Sequence, residues 1–315
     1  MKGNFSQNPA YFQLTLFGDY GRLRYLFFTL CLLIYMTIIS ANMVIILTIL
    51  LEKSLHQPMY VFICCLSVNS LYGSAGFFPR FLADLLSDSH FVSRPYCFIQ
   101  IYVIYMYASC EFTILGIMAY DRFVAICQPL HYHTKMTIRK ALTLWGVGVF
   151  YPACAIGYGV ALSVQLPLCG NKLPRIFCSN WPVVKNSCVD TTHNNVVGQF
   201  VTVTTIFIPL LFVLFSYVRI LIVCKRGSAE LRGKALQTCL PHLVTFVTYS
   251  VSVFLELSLT RFDKINPIVT AVLSLEYLMV PSINNPLIYG LKLPQIRTAI
   301  YQRFQIKTKV STVIF

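Results

Sequence analysis

Hydrophobic residues come in long blocks along this chain, separated by short polar breaks. Seven blocks, at about 25–51, 58–86, 97–121, 140–166, 197–223, 237–260 and 266–291, are sparse in charge. Each reaches the length of about 20 residues that a helix needs to cross a bilayer. The fourth is rich in glycine and the sixth contains His242 and Glu256, so these two are the least uniform. The breaks are short: residues 52–57 join the first two blocks and 224–236 join the fifth and sixth, leaving no room for a soluble domain. Beyond the seventh block, Ile296, Ile300 and Phe304 recur at four-residue spacing while Arg297 and Arg303 lie off that stripe. That pattern predicts an amphipathic helix on the membrane surface, and Pro294 suits its first turn. The expected fold is an all-α membrane protein: a seven-transmembrane helix bundle over 25–291, an N-terminal segment 1–24, and a short amphipathic helix and tail over 292–315.

Composition agrees. The chain is 57% hydrophobic and 11% charged, with a mean hydropathy of +0.67, whereas a soluble domain is about 25% charged. The net charge of +14 is assigned to basic residues flanking membrane spans rather than to nucleic-acid binding, because no basic module interleaved with aromatics is present. Met1–Gly21 lacks a basic start followed by a short apolar core, so the first block is expected to act as an uncleaved anchor. Asn4-Phe5-Ser6 fits the N-glycosylation sequon.

Lys and Arg set the orientation. Lys53; Arg122, Lys135, Arg139 and Lys140; the 219–234 cluster; and the tail share one side of the membrane and outnumber the basic residues of the other. The positive-inside rule places that side, with the C-terminus, in the cytoplasm and the N-terminus outside. Cys97 then opens the third span on the outer face, and the longest loop, about 167–196, adds Cys169, Cys178 and Cys188. Four cysteines in an oxidising compartment allow two disulfides, whose pairing the sequence alone leaves open. Arg80 at the outer end of span two is read as snorkelling, and Lys172, Arg175 and Lys185 as charges that keep the loop solvated.

Two features of the third span point to chemistry. Asp121-Arg122 puts an acid and a base at the end of an apolar run, where charge is costly. Glu111 is a carboxylate at mid-depth, so it must be either protonated or paired.

The motif Met118-Ala119-Tyr120-Asp121-Arg122-Phe123-Val124-Ala125-Ile126-Cys127 resembles the signature of odorant receptors, a branch of the rhodopsin-like G-protein-coupled receptors. The usual form has Tyr where Phe123 stands. Pro129-Leu130-His131-Tyr132 continues the resemblance. So do Leu55-His56-Gln57-Pro58-Met59-Tyr60 before span two, Lys234-Ala235-Leu236-Gln237-Thr238-Cys239-Leu240-Pro241-His242 at span six, and Pro281-Ser282-Ile283-Asn284-Asn285-Pro286-Leu287-Ile288-Tyr289 in span seven. Together they cover essentially the whole chain. Leu71-Tyr72-Gly73 with Phe77-Phe78-Pro79-Arg80 is similar to fish odorant receptors in particular.

The resemblance implies roles. Arg122 is held at rest by Asp121 and by partners at the inner end of span six, and is released to a G protein on activation. Phe123, Lys234 and His242 belong to this region, while Tyr217, Asn285, Pro286 and Tyr289 form the associated switch. Disulfides are implied between Cys97 and Cys178 and between Cys169 and Cys188, with Cys97–Cys188 the alternative. The ligand set is Tyr105, Ala108, Ser109 and Phe112, which share one face of span three, with Thr202 and Thr205, with Tyr249, Ser252, Val253 and Glu256, and with Leu275 and Met279. Ile104 stands where amine receptors carry an aspartate. The family's second mid-depth acid is replaced by Ser70. Glu111, Asn69, Ser70, Asn284 and Asn285 are therefore expected to form a polar network or an ion site.

The implied partners are a small odorant, a heterotrimeric G protein with a stimulatory olfactory-type α-subunit, and the lipid bilayer of the plasma membrane. No cofactor, metal, enzymatic activity or nucleic acid is expected. A receptor for an endogenous metabolite outside the olfactory epithelium is the alternative. A transporter or channel would carry repeats and broken helices around a midplane site, and the chain carries neither. A membrane enzyme would need a metal or nucleophile cluster within the spans, but His56, His131, His133 and His242 all lie towards the inner ends.

Overall fold

The computed structural model describes residues 8–18, 21–226, 229–261 and 266–311. Within them, the side chains of 226, 229–232, 234–238, 259–261, 267, 291–292 and 304–311 are not described. The chain runs through α1 (Leu23–Leu51), α2 (Pro58–Leu86), α3 (Arg94–Cys127), the short α4 (Tyr132–Lys135), α5 (Ile138–Val164), α6 (Asn180–Val184), α7 (Thr192–Thr202), α8 (Ile208–Arg226), α9 (Ala229–Arg261), α10 (Pro267–Lys292) and α11 (Pro294–Ser311). One π-helical turn, Val203–Phe207, joins α7 to α8 and makes them a single span.

Seven of these elements form the bundle: α1, α2, α3, α5, α7–α8, α9 and α10. Six have the length and apolar composition of a membrane crossing. The seventh, α10, is more polar, with Ser274, Glu276, Asn284 and Asn285 along its length, and packs against α9, α2 and α1. Helix starts follow local chemistry. Proline opens α2 and α10, where its missing N–H costs nothing. The Thr137 side chain caps α5 by accepting from Lys140 N (3.2 Å), and Asn266 caps α10 by accepting from Ile268 N (2.9 Å).

The apolar window of α3 is 72% buried, against 22% for α1 and 17% for α5. Thus α3 is the axis of the bundle and the others turn apolar faces to lipid. Gly73 and Gly76 bring α2 close to it, because a Cβ at either position would collide with Tyr107 or Val103.

Helix limits depart from the apolar blocks at one end of the bundle. The expected break 224–236 is mostly helical: α8 continues to Arg226 and α9 starts at Ala229. Helix α3 likewise runs past Arg122 to Cys127. The amphipathic helix is present as α11, with Ile296 and Ala299 buried while Arg297 is exposed.

The other end carries a small sheet that the hydrophobic pattern does not announce. Strand β1 (Tyr11–Leu14) lies between β2 (Phe91–Ser93), which is antiparallel to it, and β3 (Lys172–Leu173), which is parallel. Phe12, Leu14, Val92 and Leu173 are buried there with Phe98 and Ile101 of α3. The N-terminal segment is thereby part of a lid, and two disulfides pin it. Cys97–Cys178 ties the lid to the head of α3 and Cys169–Cys188 closes the loop on itself. The alternative Cys97–Cys188 pairing is not formed.

Candidate functional site

Under the lid, a cavity of about 150 Å³ opens between α3, α5, α7–α8, α9 and α10. Ile104 and Ala108 of α3, Ile156 and Val160 of α5, and Val253 and Leu257 of α9 make its walls mostly apolar. The π-helical turn of span five carries Thr205 and Ile206 into the lining. An extra backbone residue of this kind rotates the side chains of a helix locally, and such turns concentrate at functional sites.

Of the expected ligand residues, Tyr105, Ala108, Ser109, Thr202, Thr205, Val253 and Glu256 line the cavity. Phe112, Tyr249, Ser252, Leu275 and Met279 do not. Phe112 and Tyr249 pack on each other beneath it, with ring centroids 4.9 Å apart, and the Tyr249 hydroxyl donates to the Ala108 carbonyl at 3.2 Å. These aromatic side chains fill the core below the chamber. The Ser252 hydroxyl lies 2.6 Å from Glu276 Oε1, and Leu275 and Met279 pack against the main core. The loop contributes what the helical pattern did not show: Phe177, Ser179, Asn180, Trp181 and Val184 all line the chamber. A loop has no periodicity from which such a role can be read. The nearest signal is Cys178, which had to place its neighbours beside α3.

Arg175 corrects a second expectation. It is 2% exposed and the largest fully buried side chain among the described residues, not a solvating loop charge. Its Nη1 lies 3.2 Å from Glu256 Oε1 and donates to Ser274 Oγ (3.2 Å). The Ser274 hydroxyl donates to Glu256 Oε2 at 3.0 Å. One buried pair thus joins the lid to spans six and seven at the cavity wall.

At mid-depth, Glu111 is fully buried. Its Oε2 accepts from Asn69 Nδ2 (2.8 Å) and its Oε1 from Asn285 Nδ2 (2.6 Å). Asn69 also donates to the Tyr107 carbonyl at 3.0 Å, an approach that Gly73 permits. Of the four partners named for Glu111 in the sequence, Asn69 and Asn285 bond to it. Asn285 supplies the second amide, Asn284 is half-buried outside these bonds, and the buried Ser70 Oγ has no hydrogen-bond partner.

Lower on α3, Asp121 is fully buried and Arg122 partly so. Asp121 Oδ2 accepts from Arg122 Nε at 3.0 Å and from its Nη2. Asp121 Oδ1 accepts from the Tyr132 hydroxyl of α4 (2.9 Å). Burial first, and the Asp121 charge second, push the Tyr132 phenol above its ordinary value, so it remains a donor at neutral pH. Tyr217 and His242 bond side chain to side chain across spans five and six. Phe123 is half-buried against the core, Pro286 is buried and Tyr289 is 2% exposed. The side chain of Lys234 and the whole of Asn4 lie outside the described residues.

Comparison with known proteins gives a consistent result. Residues 30–307 match the family profile described as olfactory receptor. Olfactory receptor 51L1 of Homo sapiens is 36% identical over 88% of this chain and 89% of its own. Olfactory receptor 6N1 of Homo sapiens is 34% identical over 96% and 97%, and olfactory receptor 1M1 of Mus musculus is 34% identical over 90% and 91%. Squid rhodopsin superimposes with a TM-score of 0.71 at 16% identity, covering 96% of this chain and 87% of that one, a likeness of fold.

Proposed function

The chain belongs to the olfactory receptor family, and from that premise we propose that it binds a small odorant in the cavity beneath the lid and answers by activating a heterotrimeric G protein of the stimulatory olfactory type, raising cyclic AMP. It is a signalling receptor rather than an enzyme, and a multi-pass protein of the plasma membrane. The lid with its disulfides faces the outside and α11 lies on the cytoplasmic leaflet. Asn4, on the outer side, carries the glycan.

The observation that supports this reading most is that one helix carries both a stretch of cavity lining and the Asp121–Arg122 pair. Tyr105, Ala108 and Ser109 of α3 line the cavity, and Arg122 bonds to Asp121 at the other end of the same helix. The three lining residues lie roughly 20–26 Å from Arg122 at about 1.5 Å per residue. A ligand wedged among α3, α7–α8 and α9 favours the packing in which α9 moves outward. That movement separates His242 from Tyr217 and frees Arg122 for the G protein, a shift between two packed states rather than a continuous bend. Asn285-Pro286 provides the flexible point in α10, since a proline inside a helix removes a backbone hydrogen bond. Glu111 and its two amides hold spans two, three and seven together across this motion.

The test is a ligand screen with a cyclic AMP reporter in cells supplied with the olfactory α-subunit, followed by Arg122→Ala with the best agonist. The expected outcome is complete loss of the evoked signal at unchanged surface expression; a preserved signal would remove the mechanism.

A further inference from the structure

The cavity's polar groups include both acceptors and donors, and several are unanswered. Glu256 presents an acceptor-only carboxylate, whose two oxygens already face Arg175 and Ser274. Ser179, 3% exposed, has a buried hydroxyl oxygen with no hydrogen-bond partner, and the buried Asn180 Oδ1 is equally unpartnered. Against these stands the unpartnered amide nitrogen of Asn194. All four side chains line the one chamber, and the remaining lining is mainly aliphatic and aromatic. A buried polar atom without a partner is costly, so an occupant that satisfies these groups gains affinity from each.

We propose that the ligand class of this receptor is a small neutral alcohol, aliphatic or phenolic, whose hydroxyl donates to Glu256 and accepts from the Ser179 hydroxyl while its hydrocarbon body fills the apolar remainder. This rests on the reading of the cavity as the ligand pocket. The chemistry excludes the neighbouring functional groups. A carboxylate places a second negative charge beside Glu256. An aldehyde, ketone or ester accepts from Ser179 but has no proton for the Glu256 carboxylate. An ammonium has to shed its water beside a carboxylate that Arg175 has already neutralised, and α3 offers Ile104 rather than an acid. Glu256, which only accepts, and Ser179, which donates or accepts, suit a hydroxyl whichever way the two amides are turned.

The experiment uses the full chain in lipid nanodiscs and a matched series: 1-heptanol, heptanal, heptanoate and heptylamine. Binding is read as the ligand-dependent rise in unfolding temperature, titrated to a dissociation constant. 1-Heptanol is expected to bind about tenfold more tightly than the other three, as one hydrogen bond to a charged group allows. Glu256→Gln keeps an acceptor and retains a reduced preference. The double substitution Arg175→Leu with Glu256→Leu, which leaves no stranded charge, brings alcohol and aldehyde to within about twofold of each other. Tightest binding by heptanal, heptanoate or heptylamine, an alcohol preference that survives the double substitution, or no binding by any of the four overturns the proposal. The receptor reading is judged separately. A ligand of another class that drives nucleotide exchange through the wild type but not through Arg122→Ala removes only the alcohol class, whereas a screen in which nothing evokes exchange removes the receptor function itself.

Discussion

The two halves of α3 do different things with polarity. Towards Arg122, each charge is met by a protein group: Glu111 by Asn69 and Asn285, Asp121 by Arg122 and Tyr132. Towards the disulfides, a chamber is left open, and Ser179, Asn180 and Asn194 on its wall have polar atoms without partners. On the Arg122 side it is the charges that are met and not every polar atom, since the buried Ser70 Oγ and Asn285 Oδ1 lack partners there as well. What sets the chamber apart is that its unpartnered atoms border open volume that a guest can fill. Arg175–Glu256 belongs to both kinds: it is internally paired, yet Glu256 also faces the chamber, so it joins the lid to spans six and seven.

The contrast is broken most completely by opening the lid. Cys178→Ser removes the Cys97–Cys178 tie and is expected to cost about 2–5 kcal/mol, which abolishes surface expression as measured by flow cytometry on intact cells. Next, Arg175→Ala strands Glu256 in a buried site. Breaking such a pair from one side costs about 3–5 kcal/mol, and the unfolding temperature of the purified receptor should fall accordingly. Replacing both partners by leucine should restore most of it; equal damage from the single and double variants would mean that packing, not charge, governs the site.

Smaller effects are expected from the paired half. Glu111→Gln presents an N–H to an amide that already donates, a mismatch worth about 1–3 kcal/mol. It should lower stability and change basal signalling while leaving ligand affinity within twofold of the wild type, a small change on the scale of about 1.4 kcal/mol per tenfold. Smallest is Tyr132→Phe, which removes one of the partners of Asp121 at about 0.5–1.5 kcal/mol. Its expected sign is a modest rise in basal cyclic AMP without agonist; a fall would show that Tyr132 serves the active state instead.

Much of this architecture is legible without coordinates, for a physical reason. A bilayer crossing must be long and apolar, so the seven blocks stand out whatever the helices do afterwards. The same reason explains the errors at one end of the bundle. Once α8 and α9 leave the hydrocarbon, nothing requires apolar residues, so the helical turns from Ala229 onwards carry no hydropathy signal. The sheet escaped because four-residue β1 is too short for its alternation to be distinctive. In the cavity, the α3 face was legible from helical spacing, but depth was not. Phe112 and Tyr249 sit on facing sides yet meet each other below the chamber, because two large rings close a gap that smaller side chains leave open. Arg175 was misread because its partner is on a span distant in sequence, and charge in a loop ordinarily means solvent.

The claim that the two halves are distinct parts of one receptor is tested most directly by measuring ligand binding and ligand-evoked nucleotide exchange on the same membranes for two variants, Ser109→Leu at the cavity and Arg122→Ala at the other end of α3. The account predicts that Ser109→Leu weakens binding and shifts the exchange curve to higher agonist concentration with its maximum retained, while Arg122→Ala leaves agonist binding in place and removes the maximum. Loss of the maximum in the cavity variant with binding intact, or full exchange in Arg122→Ala, would contradict it.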